Sequence, residues 1–416
     1  FLSRELVTIK TDIPLPLENG FLKMRPVDEG DLRRFYEEME FRSFAAELNP
    51  APVEEIRPVR YETVQTAARL AEIVETIKKM GACAVDTETT SLDTLGARLV
   101  GVSLSVEADQ AWYVPIGHAA GGNIPRDEAL PLLKTILESE AVHKTGHHGK
   151  FDQHILANEG IRLRGLIDDT LVAASLVMPQ RDSQKLDDLA LDLLKMRMTP
   201  ITDLIGTGRD QIGMADVDVA KAGPYACEDA DASWRLRALL RPLIGEYGMT
   251  ELYRDVEIPL IQVLVDMERQ GVRVDSAVLE EQSRELGEEM KELETAIFQS
   301  IGRAFNLNSP SQLAQILYDD LKVLDGRKRS TRAEVLEKLA EDGVPIARQV
   351  LEYRHRQKIK STYLDALPKM VRPDTGRVHT TYNQSAVNTG RISSNDPNLQ
   401  NIPIRTDLGR RVRKAF

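Results

Sequence analysis

A short apolar run, Gly81-Ala-Cys-Ala-Val-Asp86, is followed by two more strand-like stretches, Arg98–Ser105 and Gln110–Ile116. A mostly helical pattern then extends from Arg126 to Glu246. Strands followed by helices over ~180 residues predict an α/β domain of ordinary size. Ahead of the first strand, Thr63–Lys79 has the apolar period of an amphipathic helix. Beyond the α/β region a helix is expected from Thr250 to Gln270, stopping at Gly271. Ser276–Ile301 is densely charged and helical in period, and Ser309-Pro310 supplies an N-cap and first-turn proline for another helix. Strand-like Arg377–Tyr382 leads into a Gly/Ser/Asn/Pro-rich stretch, Thr389–Pro403. On the other side, Pro50, Pro52 and Pro58 mark a linker. Phe1–Leu48 before it is too short to bury its own core, although Asp31–Leu48 has helical spacing through Leu32, Phe35 and Met39.

A chain of 416 residues calls for two or three domains. No apolar run approaches a membrane span, and no signal-peptide pattern opens the sequence. The two cysteines, Cys83 and Cys227, make no disulfide framework, which fits a reducing cytoplasm. The net charge of −11 at first argues against a nucleic-acid partner. Its distribution argues the opposite. Gly326–Phe416 holds 19 Lys+Arg against 9 Asp+Glu, a net of +10, which leaves −21 for Phe1–Asp325. A basic surface able to track phosphates is thus joined to an acidic remainder.

The acidic remainder holds the sharpest chemical signal. Asp86-Thr87-Glu88 closes the first apolar strand, and residues i and i+2 of a strand point to one face. Two carboxylates so close repel, and a divalent cation between them would keep both ionised. Lys150-Phe151-Asp152 opens an expected helix 66 residues after Asp86. Tyr225-Ala-Cys-Glu-Asp229 puts a phenol and a carboxylate at i and i+4, on one helix face. Alone, each pattern has an ordinary structural explanation.

Together, their order and context resemble the DEDD exonuclease superfamily, in the branch whose last motif is Tyr-x-x-x-Asp. The resemblance implies that Asp86, Glu88, Asp152 and Asp229 hold two divalent cations, Mg²⁺ or Mn²⁺, with Tyr225 beside the attacking water. Hard cations take oxygen ligands, and two of them suit phosphodiester hydrolysis. Leu92 matches the position where the family wedges an apolar side chain near the terminal base. His148, four residues before Asp152, stands where the family usually has Asn. Asp168 and Asp169, in apparent helical context, read as structural acids, and His118, His143 and His147 as surface or satisfied side chains.

The rest of the chain resembles the bacterial family A DNA polymerases. The residues carrying the likeness are Val256-Glu-Ile-Pro-Leu260, Met267-Glu-Arg-Gln-Gly-Val272, Asn306-Leu-Asn-Ser-Pro-Ser-Gln-Leu313, Leu351-Glu-Tyr-Arg354 and Lys358-Ile-Lys-Ser-Thr-Tyr363. The most specific are Thr389-Gly-Arg-Ile-Ser-Ser394 and Asp396-Pro-Asn-Leu-Gln-Asn-Ile-Pro403; Leu2–Asp12 resembles the tail of a 5′-nuclease domain. The expected architecture is α/β plus mainly α. It comprises a 5′-nuclease tail at 1–48, a linker at 49–60, an RNase H-like 3′→5′ exonuclease domain at 61–248, and a helical polymerase thumb with the start of the palm at 249–416.

By this resemblance the expected function is a proofreading exonuclease in a polymerase fragment, working as a monomer. A single-stranded or frayed 3′ DNA end would enter the exonuclease site, and primer–template duplex would lie at the thumb. Lys358 and Lys360 would reach duplex phosphates. Arg391, Asn398 and Gln400 would donate to minor-groove acceptors, which are nearly alike for every base pair. The family's palm aspartate motif comes after Arg410–Phe416, so this chain alone is expected not to extend a primer, and its end to be disordered for want of packing partners. The alternatives are an inert DNA-holding fragment and a ribonuclease D-like exoribonuclease.

Overall fold

The computed structural model describes residues 8–9, 28–39, 41, 44, 48, 58–323, 329–387 and 389–416. The chain divides into two units, Phe1–Pro58 and Val59–Phe416. In the first, helix α1 (Glu29–Glu38) starts where the Asp28 carboxylate accepts from the Asp31 amide at 2.9 Å. Apart from Thr8 and Ile9, the segment Leu2–Asp12 lies outside the described residues, as do linker prolines Pro50 and Pro52.

The second unit is built on a six-stranded sheet of β1 (Arg60–Thr63), β2 (Ala82–Thr89), β3 (Leu99–Glu107), β4 (Gln110–Pro115), β5 (His143–Gly146) and β6 (Leu166–Asp169). Their order is β1-β4-β3-β2-β5-β6. Strands β2, β3 and β4 run antiparallel in turn, whereas β1 joins β4, β5 joins β2 and β6 joins β5 in parallel. Every position of β3 but the last is buried.

Helix α2 (Ala67–Met80) covers the sheet with Leu70, Ile73, Val74 and Ile77, the i, i+3, i+4, i+7 stripe of a half-buried helix. It starts later than its apolar period suggests. Thr63 is still in β1, and Thr66 caps the helix by accepting from the Arg69 amide. Helix α3 (Arg126–Leu137) packs into the same core. Next come α4 (Gly149–Asn158), α5 (Thr170–Val177) and the long α6 (Val219–Glu246).

Two strands break the stretch expected to be helical. β5 and β6 have four residues each, and β5 is His143-Lys-Thr-Gly146, with no apolar side chain. Its Lys144 is fully buried, with the ammonium donating to the carbonyls of Ile136, Ser139 and Val142.

From Val274 onward the chain holds a separate apolar core, whereas Ile258 and Ile261 before it pack with α5 and α6. Helix α7 (Ile258–Gln270) ends at Gly271, as its sequence predicts, and leads through β7 (Val272–Arg273) into α8 (Ser276–Ile301). Ser309 caps its helix by accepting from the Gln312 amide, with Pro310 in the first turn. After α9 (Pro345–Ile359), strand β8 (Arg377–Val378) pairs with β7, and β9 (Thr381–Asn383) pairs with β10 (Ser393–Asn395). The chain end is ordered, contrary to its expected disorder. Asp407–Arg413 forms α10, Val412 and Ala415 are buried, and the Asp275 amide donates to the Ala415 carbonyl at 2.8 Å.

Candidate active site

Strand β2 lies third from one edge of the sheet, between β3 and β5, and its last turn of side chains carries Asp86, half-buried, and Glu88, buried. Both project from the same face, as alternation requires. Helix α6 crosses the sheet there because its contact face is made of small residues, Ala222, Gly223, Ala226 and Ala230. A Cβ on Gly223 would sit 2.1 Å from the Thr63 hydroxyl, so no larger residue fits this approach. Helix α6 thereby delivers Asp229, buried, beside the β2 acids. Oxygens of Asp86, Glu88 and Asp229 lie within 4.8 Å of one another, a group that could hold a metal ion.

Asp152 comes from the first turn of α4 and lies outside that trio. It is buried, and its Oδ1 accepts from the Thr87 hydroxyl at 2.7 Å. The start of α4 is fixed from below by Asp169, which accepts from the Gly149 amide at 2.7 Å and the His148 amide at 3.3 Å. The same carboxylate caps α5. Asp168 accepts from Arg237 at 3.0 Å. Both acids are structural, as expected, but they end strand β6 rather than sit in a helix.

Burial and mutual repulsion shape the acids. Loss of water pushes Asp86 up to about 6, opposed by the Thr87 amide. Glu88 is raised by burial, then by Asp86 and Asp152; Asp152 by burial and Asp86; Asp229 by burial, Asp86 and Glu88. Among the described residues, no lysine or arginine forms an ion pair with any of the four. The half-buried Tyr225 phenol is held protonated by burial and by Asp229, Glu88 and Asp86 nearby. Four oxygen donors without a cationic side chain among them suit a hard divalent cation.

Neighbouring positions vary in how they sit. Leu92 is 88 % exposed in the turn beyond β2, and the adjacent Asp93 accepts from Arg372 at 3.1 Å. His148 is exposed and adopts φ 63°, a left-handed conformation that Asn and His enter more readily than most residues. His118 is buried and satisfied, between the Tyr113 hydroxyl at 2.7 Å and the Val217 carbonyl at 2.9 Å.

The polymerase-like residues lie far along the chain. Lys358 is exposed. Lys360, expected to reach phosphates, is instead turned to Asp365 at 2.9 Å and the Ser283 hydroxyl at 2.6 Å, because its stem lies against α8. Arg391 is exposed. Asn398 accepts from the Gln400 and Asn401 amides, each at 3.1 Å, and Gln400 donates to the Ile392 carbonyl at 2.6 Å. Both therefore also brace their own loop.

Two participants escape a reading of sequence. Asp187 raises both Asp229 and Tyr225 through its charge. The Asp187-Asp188 pair was its one local signal. Glu268, on α7, accepts from Lys150 and from His154 Nε2 at 2.6 Å. Burial would raise this acid, but the donors outweigh it and hold it below the usual range. Nothing local in Met267-Glu-Arg marks that role.

The mixed sheet in this order, with acids on a central strand and on helices that flank it, is an RNase H-like exonuclease fold. Residues 61–244 match the family described as 3′-5′ exonuclease, and residues 276–416 match DNA polymerase family A. The chain is thus similar to a 3′-5′ exonuclease over its middle part and to DNA polymerase family A over its C-terminal part. DNA polymerase I of Pseudomonas aeruginosa is 39% identical across 100% of this chain and 48% of its own length. That of Chloroflexus aurantiacus is 38% identical across 100% of this chain and 49% of its own length. The chain therefore spans about half the length of these relatives. The POL domain of Pol1 from M. smegmatis, solved in complex with DNA primer-template and dNTP, is similar with a TM-score of 0.72 and 30% identity over 85% of this chain and 58% of that one. Among the described residues, no helix is long and apolar enough to cross a membrane.

Proposed function

We propose that this chain is a 3′→5′ exodeoxyribonuclease that hydrolyses the terminal phosphodiester of a single-stranded or frayed DNA end, the proofreading part of a DNA polymerase I. The observation that carries the reading is the convergence of Asp86, Glu88 and Asp229 within 4.8 Å, with Asp152 beside them on Thr87. These four would hold two divalent cations, Mg²⁺ or Mn²⁺. When bound, the cations supply a counter-charge for the phosphoryl oxygens and favour ionisation of the attacking water. The chain's own groups do the rest. Tyr225, kept protonated, can donate a hydrogen bond that orients the water. Leu92, exposed at the end of β2, can pack against the terminal base, and His148 can donate to the strand. The basic C-terminal part would grip primer–template duplex through Lys358 and Arg391, with Asn398 and Gln400 forming its loop. The chain would work as a monomer in the cytoplasm.

An inert DNA-holding fragment is disfavoured by the nearness of all four acids and the tyrosine to one another. The test is degradation of a 3′-labelled single-stranded DNA with Mg²⁺, comparing the chain with its Asp86→Ala/Glu88→Ala variant. Stepwise shortening that vanishes in the variant supports the reading, and no shortening by the folded chain sinks it.

A further inference from the structure

Glu268 lies in neither matched segment, between residues 244 and 276. Yet it is only 4 % exposed, and its carboxylate meets groups from two other elements. From α4 come the Lys150 ammonium and His154 Nε2, the latter at 2.6 Å. From β9 comes the Tyr382 amide, donating to Oε1 at 2.6 Å, while the Tyr382 carbonyl accepts from Lys150 at 2.6 Å. The next residue of α7, Arg269, grips the other end of α4, donating to the His154 carbonyl at 3.2 Å and Asn158 Oδ1 at 2.9 Å.

The spacing on α4 gives this arrangement its meaning. Lys150 and His154 are i and i+4, so they share one face, and Asp152 midway between them points to the opposite side. There it meets Thr87. The helix is thus held across its diameter, with Glu268 on one side and β2 on the other. Lys150 is also kept away from the acid cluster, two residues from Asp152, because its counter-charge is Glu268. Among the described residues His154 Nδ1 is buried without a partner, so Nε2, on Glu268, is the polar tie of its ring.

We propose that Glu268 is a positioning residue for the exonuclease reaction. By clamping Lys150 and His154 it sets the rotation of α4, and hence the place of Asp152 beside Asp86. Through the Tyr382 main chain it ties that setting to a strand of the polymerase-family segment. This rests on the exonuclease reading for its purpose but not for its test.

The experiment compares the full chain with Glu268→Gln, and with Glu75→Gln as a control at an exposed ion pair with Lys78. Circular dichroism establishes folding, calorimetry gives Mn²⁺ affinity without DNA, and hydrolysis of a 3′-labelled single strand is followed against Mn²⁺ concentration. Folded Glu268→Gln is expected to bind Mn²⁺ about tenfold more weakly, with the same shift in half-saturating Mn²⁺ for hydrolysis. Its KM for DNA should stay near that of the unaltered chain, and Glu75→Gln should match that chain throughout. If Glu268→Gln does not fold, Lys150→Met/Glu268→Gln, which removes both charges at similar size, takes its place with the same expectation. Unchanged Mn²⁺ affinity in a folded variant overturns the proposal. Should the unaltered chain bind Mn²⁺ but shorten no DNA, the exonuclease reading fails alone and the calorimetry still decides the clamp. No Mn²⁺ binding by the unaltered chain overturns both.

Discussion

The hydroxyl of Thr87, the residue between the two acids of β2, donates to Asp152 Oδ1 at 2.7 Å. The middle of the Asp-x-Glu pattern is therefore not a spacer. It anchors a third acid that arrives from a different element 65 residues further along the chain. A hydrogen bond to a charged group contributes ~1.5–3 kcal/mol. Thr87→Val keeps the shape and removes the donor, and is expected to lower exonuclease turnover about tenfold. Steady-state hydrolysis of a labelled single strand measures this; an unchanged rate would show that Asp152 needs no tether.

Tyr225→Phe removes a hydroxyl from beside the acids while leaving every oxygen ligand in place. Turnover is expected to fall by roughly 10²-fold, the lower range for a group that positions or shuttles a proton. Mn²⁺ affinity should hold steady. Parallel kinetics and calorimetry separate the two, and a loss of metal affinity equal to the loss of rate would argue against an orienting role.

The acid cluster makes stability depend on pH with a definite sign. Burial raises Asp86 from 3.8 to about 6, and Glu88, Asp152 and Asp229 are raised too. Between those values the folded chain binds more protons than the unfolded one, so this contribution is full below 3.8 and lost as pH rises through about 6. A divalent cation should therefore raise the melting temperature more at pH 7.5 than at pH 5. Asp229→Asn should stabilise the metal-free chain at pH 7.5 and abolish most of the gain from Mn²⁺. Thermal melts with EDTA and with Mn²⁺ at both pH values test this, and a larger gain at pH 5 would contradict it.

Lys144 satisfies three carbonyls from inside the core. Lys144→Met retains most of the stem but leaves those acceptors unpaired, and should cost ~3 kcal/mol. The midpoint of urea unfolding reads the loss, and a cost below ~1 kcal/mol would mean that water replaces the ammonium.

At the basic end, two lysines two residues apart should differ. Lys358 is exposed, whereas Lys360 is paired with Asp365. Lys358→Ala is expected to lower the salt slope of duplex binding by about one, and Lys360→Ala by less. Binding isotherms over a range of KCl concentrations decide between them.

Much of the site was legible because its chemistry is local. Asp86 and Glu88 alternate on a strand with an apolar signal, Tyr225 and Asp229 share a helix face, and Ser276–Ile301 appears as a helix with the bounds its period predicts. What escaped depends on distant partners. β5 carries His143-Lys-Thr-Gly146 and is a strand because β2 and β6 pair with it on both sides. Glu268 acquires its role from residues more than a hundred positions away, including Lys150 and Tyr382. Lys360 looked free because Asp365 and Ser283 become its neighbours only after the chain folds.

The long helix α6 also governs when the site can exist during synthesis. Asp229 follows Asp86 by 143 residues, and it is placed by a helix that presses its small-residue face onto the finished sheet. A ribosome that has translated only as far as residue 200 has released Asp86, Glu88 and Asp152 but neither Tyr225 nor Asp229. A nascent chain at that stage lacks the fourth acid, so on the proposed exonuclease reading hydrolytic competence would arrive with α6 rather than with the acids that come first.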